Sequence, residues 1–206
     1  MQSLIDNARS FRRLAASNAG EYERLADGQS PQALFIACSD SRVIPAAITG
    51  AKPGELFEMR TAGNIVPPYR PERPSGEAAT IEYAVEILKV ADIVVCGHSH
   101  CGAVGALVRG DDLTAVPSVR TWLADTSVSG PAGLGGSPPG PRAHPAPDLT
   151  EAVQGHVLNQ LERLRAHPSI ARGLSAGRLR VHGWFYEVHT GSVYAHRPHD
   201  SAFGPL

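Results

Sequence analysis

Two short apolar runs joined by an amphipathic segment constrain the fold of this chain more than any other feature. ALFIAC, at 33–38, and DIVVCGH, at 92–98, each have the length and composition of a strand that is buried on both faces. Between them, SGEAATIEYAVEILKV at 75–90 carries apolar side chains at helical spacing, after a serine suited to cap a helix. Strand, helix and strand in this order predict an α/β domain with a mostly parallel sheet.

Further elements are expected on either side of this unit. LFEMRTA, at 56–62, is typical of another strand, and residues 178–198 predict two strands joined by a Thr-Gly turn, a hairpin at the edge of the sheet. Apolar positions recur at helical spacing over residues 5–25 and over residues 149–170, which predicts helices there.

These elements together predict the fold class. We expect an α/β fold with a mostly parallel central sheet, an antiparallel edge strand and flanking helices. A single domain over residues 1–206 is expected, with a helical arm over about 1–27 at its N-terminus. Residues 127–147 are crowded with glycine and proline, which is typical of an irregular loop.

Composition and charge exclude several classes of protein. A formal net charge of −1 provides no field suited to gathering nucleic acid. No apolar run has the length that crosses a bilayer, and residues 1–28 lack the apolar core of a signal peptide, so we expect a cytoplasmic protein without a membrane partner. Three cysteines make a poor disulfide framework, and reduced thiols in the cytoplasm point to metal binding or catalysis.

Reactive side chains follow both apolar runs. Cys38 ends the first run, and His98 and Cys101 end or follow the second. Sites in parallel sheets collect beyond the carboxyl ends of the strands, so we expect these three side chains to meet. Two thiolates and one imidazole suit Zn²⁺, and three protein ligands leave one tetrahedral position open, as in catalytic zinc sites.

Two charged residues beside Cys38 fit a reaction at that open position. A water bound to zinc there can have its pKa lowered to about 7, which yields hydroxide at neutral pH. Asp40 is suited to orient the hydroxide, and Arg42 is suited to hold Asp40 ionised and away from the metal through a bidentate pair.

The residues alone leave other interpretations open. Asp40 could itself close the metal site, which would give a non-catalytic zinc protein. Cys38 could act as a nucleophile with His98 as its base. A phosphatase-like loop would need arginine six positions after Cys38, however, where Ile44 stands. Cys96, inside an apolar run, is interpreted as a small buried hydrophobe.

A family resemblance rests on three motifs. CSDSR at 38–42, MRTAGNIVPPY at 59–69 and GHSHCG at 97–102 closely resemble the β-class carbonic anhydrases, whose hallmark is Cys-x-Asp-x-Arg followed by His-x-x-Cys. The likeness also covers 75–104 and 182–193, and so most of the chain from about Gln29 onward. It implies the expected sheet, and an enzyme that reversibly hydrates CO₂ to bicarbonate. Hydrolysis of carbon disulfide on the same scaffold is an alternative.

The resemblance also assigns roles to single residues. It implies one zinc ion per chain, held by Cys38, His98 and Cys101, with Asp40 and Arg42 as the catalytic dyad. Further positions correspond to substrate-pocket residues of the plant-like branch, namely Gln29, Phe57, Ala62, Tyr83 and Gly102. Ala62 stands where a larger aliphatic residue is often found. The pocket would be shared between two subunits, which implies a homodimer or a dimer of dimers.

Overall fold

A six-stranded sheet forms the centre of the protein. The computed structural model describes residues 1–125 and 149–206. The strands, in chain order, are β1 Ala33–Cys38, β2 Leu56–Thr61, β3 Asp92–His98, β4 Arg180–Tyr186, β5 Val193–Arg197 and β6 Ala202–Pro205. Their order across the sheet is β2-β1-β3-β4-β5-β6. The first four run parallel, β5 pairs antiparallel with β4, and β6 pairs antiparallel with β5 at the edge, which confirms the predicted fold class.

Helices cover the sheet and extend from it. They are α1 Gln2–Ser17, α2 Ala19–Leu25, α3 Pro45–Thr49, α4 Gly76–Glu82, α5 Gly102–Arg109, α6 Pro117–Ala124, α7 Leu149–Arg165 and α8 Pro168–Ser175. A 3₁₀ turn spans Ala62–Asn64, and a π-helical turn over Tyr83–Ile87 continues α4. The helix predicted to follow a serine cap has that cap, since Ser75 Oγ accepts a hydrogen bond from the Ala78 amide at 3.1 Å.

Two predicted helices are each divided in the structure. The helix predicted over residues 5–25 is divided into α1 and α2 at Asn18, whose φ of −122° lies outside the helical region. The helix predicted over residues 149–170 is divided into α7 and α8 at His167. This residue is extended because Pro168 follows it and disfavours a helical residue at that position. The Gly/Pro-rich loop predicted at 127–147 lies outside the described residues.

Helix α7 packs unusually close to the sheet at the end of β3. Val153 and Val157 of α7 are buried against β3. A Cβ atom at Gly97 would lie 2.6 Å from Cγ2 of Val157 and 2.8 Å from Cγ1 of Val153. Glycine therefore lets α7 lie directly on the strand next to His98.

Among the described residues, no helix has both the length and the apolar composition needed to cross a membrane.

A charged network joins the first residues of β3 and β4, at the end of the sheet away from His98. Asp92 and Arg180 are register partners, and the Arg180 guanidinium donates two hydrogen bonds to the Asp92 carboxylate at 2.8 and 2.6 Å. His182 Nε2 lies 2.7 Å from the same carboxylate. Arg180, and to a smaller degree His182, hold the pKa of Asp92 below its ordinary value although burial opposes them.

We expect Asp92→Asn to lower the free energy of unfolding by about 1 kcal/mol near neutral pH, the upper end for a partly exposed pair. A carboxyl whose pKa is lowered on folding contributes stability above its unfolded pKa of about 3.9 and loses it as the pH falls. The difference between wild type and variant should therefore shrink in acid. Urea denaturation at several pH values checks this, with Asp27→Asn, an exposed carboxylate after α2, as the control. Equal losses in the two variants would contradict it.

Candidate metal centre

The three predicted ligands meet where two parallel strands end. Cys38 is the last residue of β1 and His98 is the last residue of β3, which pairs directly with β1. The chain then turns and reaches Cys101, which caps the N-terminus of α5. The ligand atoms of all three residues lie within 4.8 Å of one another, and all three side chains are buried.

The imidazole of His98 is set up to bind a metal. Its Nδ1 lies 2.9 Å from the Ser99 carbonyl oxygen, which can only accept, so Nδ1 carries the proton. The lone pair is therefore on Nε2. That atom is buried and has no hydrogen-bond partner among the described residues. An unpaired buried lone pair is unusual in a folded protein, and together with two sulfur atoms it fits the donor set of zinc.

The pKa values of the two thiols in the centre are shifted in opposite directions. The neighbouring Cys101 thiol lowers the pKa of Cys38 against the opposing effect of burial, and the amides of Asp40 and Gly63 lower it further. The Cys38 sulfur, together with burial, raises the pKa of Cys101. A metal bound between them would displace the remaining proton, because thiolate is the ligating form.

The Asp40 carboxylate stands beside the cluster, held by Arg42. Arg42 Nε donates to Asp40 Oδ1 at 2.9 Å and Nη2 donates to Oδ2 at 2.7 Å, while the Arg42 amide donates to Oδ1 at 3.0 Å. The guanidinium holds the pKa of Asp40 well below its usual range. Oδ2 is also 3.9 Å from His98 Nε2, so the ionised carboxylate borders the position that a metal would occupy.

His100 contributes its backbone to this pair. Arg42 Nη2 donates to the His100 carbonyl oxygen at 3.1 Å, and the φ of His100 is +56°, in the left-handed region. Its ring points elsewhere and lies edge-on to the ring of His189, with centroids 6.1 Å apart. The extra histidine inside the ligand motif therefore anchors Arg42 through a carbonyl group.

Arg60 supports the same loop and was missed in the sequence. Its guanidinium donates to the carbonyl oxygens of Cys38, Asp40 and Val43 at distances from 2.7 to 3.0 Å. A charged residue near the end of the half-buried strand β2, opposite Ala37 in the ladder and so one position before the partner of Cys38, is the signal that could have identified it. Three carbonyl groups held by one guanidinium fix the path of the chain between Cys38 and Val43.

Two of the predicted pocket residues lie near the centre. Gly102 directly follows Cys101 and is the first residue of α5. Ala62 follows β2, and its carbonyl oxygen accepts a hydrogen bond from Trp122 Nε1 at 2.9 Å. Ala62 lines a cavity of about 390 Å³ together with side chains that include Ser39, Thr61 and Trp122.

The other predicted pocket residues lie at the far end of the sheet. Phe57 pairs with Leu34, four residues before Cys38, which corresponds to about 13 Å along the strand. Tyr83 stacks on Phe57 with ring centroids 5.9 Å apart and is 46% exposed. Gln29 is exposed in the segment that leads into β1. The structure therefore does not bring these three residues to the metal centre of their own chain.

Known proteins resemble this chain over most of its length. A family model described as carbonic anhydrase matches residues 33–193. A carbonic anhydrase of Pseudomonas aeruginosa is 45% identical over 95% of this chain and 87% of that protein, and carbonic anhydrase 1 of Escherichia coli is 40% identical over 100% and 92%. Among solved structures, the β-carbonic anhydrase CcaA has a TM-score of 0.85 at 38% identity and covers 100% of this chain and 92% of that one. A tetrameric β-carbonic anhydrase of Sordaria macrospora has a TM-score of 0.75 at 28% identity, with 94% of each chain covered.

Proposed function

Because the chain belongs to the β-carbonic anhydrase family, we propose that it hydrates CO₂ reversibly to bicarbonate with one zinc ion held by Cys38, His98 and Cys101. The observation that carries this proposal is the ionised Asp40 carboxylate, which Arg42 holds beside a buried cluster of three soft ligands. Three ligands leave a fourth position for the reaction.

The zinc ion would supply the Lewis acidity that makes hydroxide available at neutral pH. The residues around it carry out the rest. Asp40 accepts a hydrogen bond from the attacking oxygen, and this directs a lone pair toward the carbon of CO₂. The new C–O bond moves a π pair onto a CO₂ oxygen and gives bicarbonate. A second water then replaces the product and loses its proton to solvent.

Arg42 makes this role of Asp40 available. A free carboxylate 3.9 Å from His98 Nε2 would itself be a competent ligand and would close the site. Both Asp40 oxygens are instead engaged by the guanidinium, in a charge-assisted bidentate pair. This engagement supports the open, catalytic form over the closed, non-catalytic alternative.

The surroundings of the cluster suit a small apolar substrate. The thiols of Cys38 and Cys101 pack in one apolar cluster with side chains from α5, α7 and β4, namely Val104, Val108, Ala152, Val153 and Phe185. Such a lining lowers the local dielectric around the metal and favours CO₂ over water.

The pocket would be completed by a second subunit. Phe57 lies about 13 Å along the strand from Cys38 and Tyr83 stacks on it, so the two rings can line a metal centre only if that centre belongs to another chain. Tyr83 and Ile87 are 46% and 62% exposed on the π-helical turn, which leaves an apolar face that a second copy can cover. We therefore propose a homodimer, alone or as a dimer of dimers, with Gln29 in the shared pocket.

Cys101→Ser should abolish zinc binding, because removal of one of three ligands leaves an incomplete donor set. The matched control is Cys96→Ser, which changes a buried thiol outside the cluster. Metal analysis of the purified proteins should find about one zinc per chain in wild type and in the control, and almost none in Cys101→Ser. A control that also loses its zinc would show that the effect comes from general destabilisation.

Arg42→Ala should keep the zinc and lower the rate of CO₂ hydration by at least about 100-fold, because Asp40 is then free to close the metal site and no longer orients the attacking oxygen. Arg109→Ala is the control, since Arg109 forms a similar bidentate pair with Asp111 two residues away. Stopped-flow hydration together with zinc analysis separates the two effects. Normal activity in Arg42→Ala would exclude the assigned role, and a wild type that binds zinc without hydrating CO₂ would exclude the proposed function.

Mixing two inactive variants tests the shared pocket. Arg42→Ala damages the centre of its own chain, and Tyr83→Ala would damage the centre of the partner. Refolded together, about half of the pairs are mixed and each mixed pair keeps one intact centre, so about a quarter of the wild-type activity should return. Arg42→Ala mixed with Cys101→Ser should recover nothing, because both changes affect the centre of their own chain. The same failure in the first mixture would refute a shared pocket.

A further inference from the structure

A stripe of buried polar side chains runs along α7 and on to the residue that precedes α8. The helix is otherwise apolar on its inner face. The stripe residues recur at intervals of four, three and four, which places them on one side of a helix. All of them are buried, namely His156, Gln160, Arg163 and His167.

Each stripe residue binds the backbone of one segment, residues 63–67, which follows β2. The bonded pairs are His156 Nε2 with the Gly63 carbonyl at 2.8 Å, Gln160 Oε1 with the Val66 amide at 2.9 Å, Arg163 Nη1 with the Val66 carbonyl at 3.3 Å, and His167 Nε2 with the Pro67 carbonyl at 2.9 Å. The stripe therefore holds a non-repetitive segment of backbone that has few partners in the sheet ladder.

Gly63 is the point where this segment reaches the metal centre. Its amide donates to Cys38 Sγ at 3.3 Å. The φ of Gly63 is +75°, in the left-handed region, and an added Cβ would lie 3.0 Å from the Cβ of Ala103. Gly63 is thus confined by its partners: the Cys38 sulfur on its amide, His156 on its carbonyl, and α5 at close contact.

His156 is in the right form to act as a donor. Burial lowers the pKa of its imidazole to about 4, so the ring is neutral near pH 7. The Gly63 carbonyl oxygen can only accept, and Nε2 therefore carries the single proton. The mechanism of CO₂ hydration makes no use of this buried histidine.

We propose that His156 is a positioning residue for the metal centre, acting through Gly63 to aim a backbone amide at the sulfur of Cys38. The inference rests on the proposed zinc site and goes beyond it. A hydrogen bond to a thiolate ligand withdraws electron density from the sulfur and fixes its direction, and such outer partners influence both metal affinity and ligand basicity. Loss of the His156 proton donor should release Gly63 and weaken this bond.

His156→Leu removes the donor and should weaken zinc binding by about 10- to 100-fold in competition with a chelator. Loaded with Co²⁺, the variant should show its thiolate-to-cobalt charge-transfer band at longer wavelength than wild type, since an electron-rich sulfur is easier to oxidise. His156→Gln, whose amide keeps an N–H donor at similar reach, should restore both values. A glutamine variant that shifts as far as the leucine variant would overturn the proposal.

His167→Leu is the matched control. It removes a second buried histidine of the same stripe, with the same kind of bond to a carbonyl, but its partner is Pro67 and not Gly63. It should lower thermal stability to a similar degree and leave the cobalt band in place. Equal band shifts in the two leucine variants would mean that the stripe acts only through general stability, and would overturn the role of His156.

The outcomes also separate this inference from the proposed function. Wild-type protein that shows no thiolate-to-cobalt band would refute the metal centre itself. A normal wild-type band that His156→Leu leaves unshifted would refute only the role of His156. If the leucine variant does not fold, ¹¹³Cd-loaded wild type decides: a scalar coupling between the Gly63 amide proton and the metal supports the inference, and its absence overturns it.

Discussion

Parallel pairing of β1 with β3 is the constraint on which the rest of the structure depends. It brings Cys38 and His98, which are sixty residues apart in the chain, to the same end of the sheet. Gly97 lets α7 pack closely against that end of the sheet, and α5, which begins directly after Cys101, packs beside it. The donor set is therefore a product of backbone hydrogen bonds, and its geometry is inherited from the sheet.

Around this end of the sheet, long side chains form hydrogen bonds with backbone carbonyl groups. Arg60 binds three carbonyls of the loop after β1, Arg42 binds that of His100, and His156 binds that of Gly63. Each bond fixes a stretch of chain that has no regular secondary structure. Such support from outside the reacting groups keeps a site close to its working geometry, which loops alone do not achieve. The proposed reaction uses one carboxylate, that of Asp40, whereas three long side chains hold the backbone around it.

Much of this could be predicted from the sequence, because the signals were local. Apolar runs at 33–38 and 92–98 identified the central strands, and the chemistry of the residues at their ends identified the cluster. Arg60 and His156 were missed because their partners are distant in the chain and are backbone atoms, which have no residue type to recognise. The placement of Phe57 and Tyr83 also had to come from the structure, since only strand register shows how far they lie from Cys38.

The short separation of the two cysteine sulfurs has a consequence for the redox chemistry of the protein. The sulfur atoms of Cys38 and Cys101 lie within 4.8 Å of each other. Such a pair is predisposed to oxidation, because a sulfenic acid formed on one sulfur by peroxide meets the other at once. A bound metal occupies both sulfurs and blocks this route. In the proposed zinc enzyme, the bound ion would thus also protect the centre, and the form without metal would be the most sensitive to oxidants.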